Sequence, residues 1–323
     1  MSTSTAAIPS TAPSVKPLER FAWVVLAYNI AVVLWGAAVR ATGSGAGCGE
    51  HWPLCNGTVV QHHPAVATMI ELAHRASSGV ALFAIIALLV WTFRATAKWH
   101  MARAMAVAAL ILTLNEALLG ALLVLLGKVA HDQSASRGVY LGLHLTNTLL
   151  LLGALTLTAH FLARHQGFMR GGIDFRSMKL AITGLTATLI VGVTGSLAAL
   201  GDTLYPAHSL REAFAQDFAA SSSWLLRLRW VHPAISLVAG AFIVWLVAWG
   251  LQEARNRRLA FSVIGLLLLQ YLLGVADVVL LTPTWLQMTH LLGADLLWCT
   301  LIVLAARICV RPMGCPGLSC KRS

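Results

Sequence analysis

Residues 71–91 read ELAHRASSGVALFAIIALLVW, and this stretch decides the class of fold. From Ala76 to Trp91 no charge interrupts the run, which is the composition of a helix lying in a bilayer. At 3.6 residues per turn Glu71 and His74 share one face of that helix, and Arg75 follows on its flank. Ionisable side chains are costly at such a depth and mark a functional site. The alternative is an interfacial cluster reaching lipid headgroups.

Composition extends this reading to the whole chain. Of 323 residues, 58% are hydrophobic and 11% charged, and mean hydropathy is +0.76. A soluble domain would carry about a quarter charged residues. The chain is therefore expected to be an all-α polytopic membrane protein with eight transmembrane helices. The spans fall at about 20–40, 69–93, 101–126, 138–162, 178–200, 225–250, 259–281 and 286–308. The net charge of +11 does not point to nucleic acid, because Lys and Arg lie between the spans. Sixteen of them fall on one side and six on the other, which puts both termini in the cytoplasm. Residues 1–19, rich in Ser, Thr, Pro and Ala, read as a disordered tail, and 312–323 as a second cytoplasmic tail. The run after Arg20 is long enough to be a retained span rather than a cleaved signal.

An internal repeat divides the spans. Thr42-Gly43-Ser44 recurs as Thr194-Gly195-Ser196 at an offset of 152, and Leu118-Leu119-Gly120 as Leu272-Leu273-Gly274 at 154. The expected architecture is two pseudo-symmetric four-helix bundles, residues 20–165 and 166–311, related by an axis along the membrane normal.

Four histidines sit inside spans at one depth near the extracytoplasmic face: His74, His144, His232 and His290. The repeat relates His74 to His232 and His144 to His290, giving one pair per half. Two facing imidazoles in apolar surroundings suit a haem iron. Zinc would need further ligands, and no Cys or carboxylate repeats beside both pairs. The other eight histidines fall in or near loops and are expected to be solvated. Three residues before His232 stands Arg229, where the first half has Glu71, and Arg227 lies further out. Arginines suit haem propionates, whereas a carboxylate can move protons. The second half thus reads as a fixed haem site and the first as the place of chemistry. Asn115 and Glu116 read as interior polar contacts, and Asp277 and Asp295 as supports for the histidines.

The loop between spans one and two carries Cys48 and Cys55, seven apart among Gly and Pro. On the extracytoplasmic side disulfides persist, so a Cys48–Cys55 bridge is expected, either structural or redox-active. Cys299, Cys309, Cys315 and Cys320 read as free thiols.

Together these features resemble the haem A synthase family. The similarity rests on Arg40-Ala41-Thr42-Gly43-Ser44-Gly45 with Cys48 and Cys55, on Glu71-x-x-His74-Arg75, and on one histidine in each even-numbered span. The resemblance implies oxidation of the C8 methyl of haem O to the formyl group of haem A, by two hydroxylations and loss of water. It implies a haem b cofactor on His232 and His290, substrate haem O on His74 and His144, and a chemical role for Glu71. Arg75 would join Arg227 and Arg229 at propionates. Implied partners are haem O synthase, an unidentified electron acceptor and the lipid of a bacterial inner membrane, with a homo-oligomer left open. Some relatives carry a second cysteine pair between spans five and six, which residues 201–224 lack. A di-haem b-type electron-transfer protein and a haem transporter or chaperone are the competing classes.

Overall fold

Apolar runs of about twenty residues become helices in a bilayer because a helix satisfies its backbone groups internally. The computed structural model describes residues 15–59, 61–130, 132–163 and 174–309. The long helices are α1 (Lys16–Ala41), α2 (Val66–Ala95), α3 (Met101–Leu125), α4 (Ala135–Ala163), α5 (Phe175–Leu204), α7 (Trp224–Gly250), α8 (Arg257–Val279) and α9 (Thr284–Cys309); a short α6 (Leu210–Phe218) stands between α5 and α7. Eight of these are long and apolar enough to cross a membrane, so the chain is a multi-pass membrane protein. The helices match the eight expected spans to within a few residues. α1 starts at Lys16 with a proline in its first turn, so residues 16–19 are helical rather than tail. Residues 1–14, the 165/166 boundary and the 312–323 tail lie outside the described residues.

Helix neighbours define two rings. In the first, α1 packs on α2 and α4, and α3 on α2 and α4; in the second, α5 packs on α7 and α9, and α8 on α7 and α9. The rings meet where α4 touches α5 and α9, and where α1 touches α9 and α5. α4 and α9 form the seam and are buried over 72% and 61% of their apolar windows, against 33% or less for the others. Trp298, fully enclosed, donates from Nε1 to the Leu149 carbonyl at 2.6 Å and so joins α9 to α4. Arg40, at the end of α1, donates to the Ala199 carbonyl (2.6 Å) and Thr203 Oγ1 (2.8 Å) of α5 and to Gln287 Oε1 (3.0 Å) of α9.

Candidate functional site

His74, His144, His232 and His290 lie within the first three turns of α2, α4, α7 and α9. These four helices all begin at one end of the bundle, the end that carries the 42–65 loop and α6. α2 and α4 are diagonal partners in the first ring, and α7 and α9 in the second. His74 lies within electrostatic range of His144, and His290 of His232. The fold thus brings His74 toward His144 and His290 toward His232.

Each ring packs against a glycine of a neighbouring helix. A Cβ on Gly36 would stand 2.9 Å from His74 Cε1, and one on Gly195 2.8 Å from His232 Cε1. Gly120 and Gly274 face His144 and His290 at 4.0 and 3.5 Å. This corrects one register of the repeat. Thr42-Gly43-Ser44 lies past the end of α1, whereas Thr194-Gly195-Ser196 is inside α5, so Gly195 answers to Gly36. The Leu-Leu-Gly register is unaffected.

Nδ1 of His74, of His144 and of His290 is buried without a hydrogen-bond partner. His232 Nδ1 lies 3.3 Å from Thr194 Oγ1. Among the described residues, no three or more His, Cys, Asp and Glu side chains gather as around a lone metal ion. Two imidazoles from diagonal helices, each with a glycine of a neighbouring helix beside it, would suit a planar macrocycle bearing a metal.

The 42–65 loop closes the first ring. Cys48 and Cys55 are buried, with Cα atoms 4.4 Å apart and sulfurs at bonding distance. Glu71, 3% exposed, accepts the Cys48 N–H at 2.9 Å on Oε2. Its Oε1 accepts from Arg75 Nε (3.1 Å) and Nη2 (2.5 Å). Arg75 Nη1 donates to the carbonyls of His51 (2.8 Å) and Leu54 (2.9 Å), and Thr68 Oγ1 to that of Gly47 (2.7 Å). Arg75, expected at a propionate, thus clips this loop onto α2.

Arg229 does the same work at the second ring. Its Nε lies 2.7 Å from Asp202 Oδ1, Nη1 donates to Gln216 Oε1 (3.2 Å) and Asp217 Oδ1 (3.3 Å), and Nη2 to the Tyr205 carbonyl (2.6 Å). It ties α6 and the end of α5 to α7. Burial holds the Asp217 carboxyl above its ordinary pKa, partly offset by Arg229. Arg227 is exposed on α7. α6 is absent from the sequence reading, although Ser209-x-x-Glu212 is a helix-start signal: Ser209 Oγ accepts the Glu212 N–H at 3.2 Å.

Glu116 carries more than an interior contact. Its Oε1 lies 3.3 Å from His144 Nδ1, and it accepts from Thr148 Oγ1 and Asn147 Nδ2. Asp295 is wholly enclosed and neither oxygen has a partner; Asp277 Oδ1 is also buried and unpartnered. Neither supports a histidine by a hydrogen bond. Two histidines expected to be solvated are buried instead: His100 caps α3 by accepting the Ala102 N–H at 3.2 Å, and His160 packs on Phe161. His51, His62, His63 and His208 are exposed. Cys299 and Cys309 are free thiols. His131, His165, Cys315 and Cys320 lie outside the described residues.

A family model described as cytochrome oxidase assembly protein, COX15-CtaA, matches residues 19–302. A protoheme IX farnesyltransferase of Thermus thermophilus is 42% identical over 296 residues, which cover 91% of this chain and 48% of that protein. The chain therefore spans about half the length of the two Thermus relatives it matches. A heme A synthase of Alkalihalophilus pseudofirmus is 29% identical over 258 residues, 76% of this chain and 82% of the relative. One from Halalkalibacterium halodurans is 26% identical over 283 residues, with 84% and 90% covered.

Proposed function

The chain belongs to the COX15-CtaA family, and from that premise we propose that it is an oxidoreductase converting haem O to haem A. The observation that carries this reading is the His74–His144 pair, which faces across the first ring with Glu71 one turn away on α2. His74 and His144 bind and orient the substrate haem O, and the apolar helix faces around them exclude water. Successive hydroxylation of the C8 methyl gives a geminal diol, and loss of water leaves the formyl group. Glu71 holds negative charge near the methyl carbon or accepts its proton. Through the Cys48 N–H and Arg75 it also keeps the cysteine loop over the ring. Cys48 and Cys55 form a disulfide there.

His232 and His290 hold a resident haem b. Bound there, the cofactor supplies one-electron redox capacity, and electrons pass on to an external acceptor. The common level of the four histidines disfavours a chain of haems stacked across the membrane. Arg227, free of the clasp that holds Arg229, remains available to a propionate. Both termini lie in the cytoplasm of an inner membrane, with the histidines toward the extracytoplasmic face. The Thermus relatives, named for farnesyl transfer to protoheme, favour a haem O synthase as the supplier of the substrate.

The test is haem extraction from a host that makes haem O and no haem A. Expression of the wild-type chain is expected to produce haem A, and Glu71→Gln to accumulate haem O or a hydroxylated intermediate. Absence of haem A with the haem-loaded wild type would overturn the assignment.

A further inference from the structure

We propose that Glu116 is a positioning residue that holds the His144 ring from its Nδ1 side and makes this imidazole a stronger donor than its counterpart in the second ring. The proposal rests on the haem-binding reading above and deepens it by giving the two sites different electronic character.

The geometry is local and over-determined. Glu116 Oε1 stands 3.3 Å from His144 Nδ1. The carboxylate is fixed on α3 by Thr148 Oγ1 and Asn147 Nδ2, both from α4. Asn147 is itself held, donating to the Leu112 carbonyl (2.9 Å) and accepting from Asn115 Nδ2 (2.8 Å). Thr148 Oγ1 also lies 2.9 Å from the His144 carbonyl. With Nδ1 facing an acid, Nε2 is left for iron. The contact is at ion-pair distance and Nδ1 makes no hydrogen bond in this structure; a small turn of the ring would direct its N–H onto the carboxylate, and a ligating histidine held in that way is oriented and becomes more basic.

The second ring lacks this device. Glu116 precedes Gly120 by four residues, and in the Leu-Leu-Gly register Gln270 precedes Gly274 by the same four. The Gln270 amide, turned so that both its groups are satisfied, donates to the His290 carbonyl (3.2 Å) and accepts from the Ala294 N–H (3.1 Å). It reaches backbone, not the imidazole, and among the described residues no carboxylate lies at ion-pair distance from His290 Nδ1, as Glu116 does from His144 Nδ1. A carboxylate faces one ligand; a neutral amide stands at the matching place for the other. The more basic ligand favours ferric iron, so the first ring holds the lower-potential haem and electrons run from the first ring to the second.

The experiment uses the purified full chain loaded with haemin, with His74→Ala and His232→Ala to assign the two optical signals. Potentiometric titration and ferric electron paramagnetic resonance are then followed in Glu116→Gln and in the reciprocal Gln270→Glu. Glu116→Gln is expected to raise the first-ring midpoint, change its ferric signature and weaken haemin retention there by roughly ten- to a hundred-fold. The second-ring midpoint stays put. Gln270→Glu is expected to lower the second-ring midpoint. Glutamine can still bond Asn147 and Thr148, so a packing role alone would leave the first-ring midpoint and retention at wild-type values, and that result overturns the proposal. If Glu116→Gln does not accumulate, an unmoved second-ring midpoint in Gln270→Glu overturns it instead. Retention of every haemin signal in His74→Ala would sink the haem-binding reading itself.

Discussion

The two rings present the same histidine pattern under different covers. Over the first, the 42–65 loop is clasped by Arg75 through Glu71; over the second, α6 is clasped by Arg229 through Asp202 and Asp217. Both arginines sit within one turn of a histidine, and both close an end of a ring. Only the first clasp runs through an acid that also binds the backbone of a cysteine. A change at Cys48 is therefore one hydrogen bond from the helix that carries His74, whereas the second ring has an ionic clasp with no sulfur in it.

The largest test of this comparison removes the ligands. His232→Ala or His290→Ala is expected to abolish the second-ring haem signal while the first ring still takes up haemin, and His74→Ala or His144→Ala to do the reverse. Cross-loss, in which either change empties both rings, would break the idea of two separate sites. Next come the clasps. Arg75→Ala leaves Glu71 buried without its cation, and Arg229→Ala does the same to Asp202, each destabilising by about 3–5 kcal/mol. The expected sign is early proteolytic cleavage in residues 47–58 or in α6. Unchanged cleavage with weakened haemin binding would return both arginines to the propionates.

The cysteine pair comes third. A ring this small contributes about 2–3 kcal/mol as a disulfide in the loop-closure model. Cys48→Ala/Cys55→Ala should keep its haem b and fold but make less haem A per haem-loaded molecule; wild-type turnover would reduce the bridge to packaging. The smallest expected effects are at the glycines. Gly36→Ala and Gly195→Ala push a methyl group against an imidazole, costing about 1–3 kcal/mol, and should shift the spectrum of their own ring. Gly120→Ala, which meets only ordinary contact at 4.0 Å, serves as the control and should leave the spectrum unchanged.

The spans were legible because a bilayer leaves an apolar run of about twenty residues no alternative to a helix. The histidine pairs were legible because spacing along a helix converts directly to depth. What each arginine grips was not. Arg75 reaches carbonyls more than twenty residues back in the chain, and a carbonyl has no letter of its own in a sequence. α6 was missed for a different reason: its residues are polar enough to pass for loop, and only Ser209 with Glu212 marked its start. The place of Glu116 could have been inferred, since the Leu-Leu-Gly repeat puts it opposite Gln270. The Thr-Gly-Ser match misled because three small residues recur easily, and here one copy lies beyond a helix end.

Arg40 gives the fold a schedule. α1 is synthesised long before α5 and α9, yet the guanidinium at its end finds Ala199 and Thr203 only on α5, and Gln287 only on α9. Until α5 enters, the cation lacks the Ala199 and Thr203 acceptors, and until α9 enters it lacks Gln287; such a charge is expensive at the membrane. Entry of α5 and then α9 is what relieves it. A chain stalled before α5 keeps that charge without any of these three acceptors.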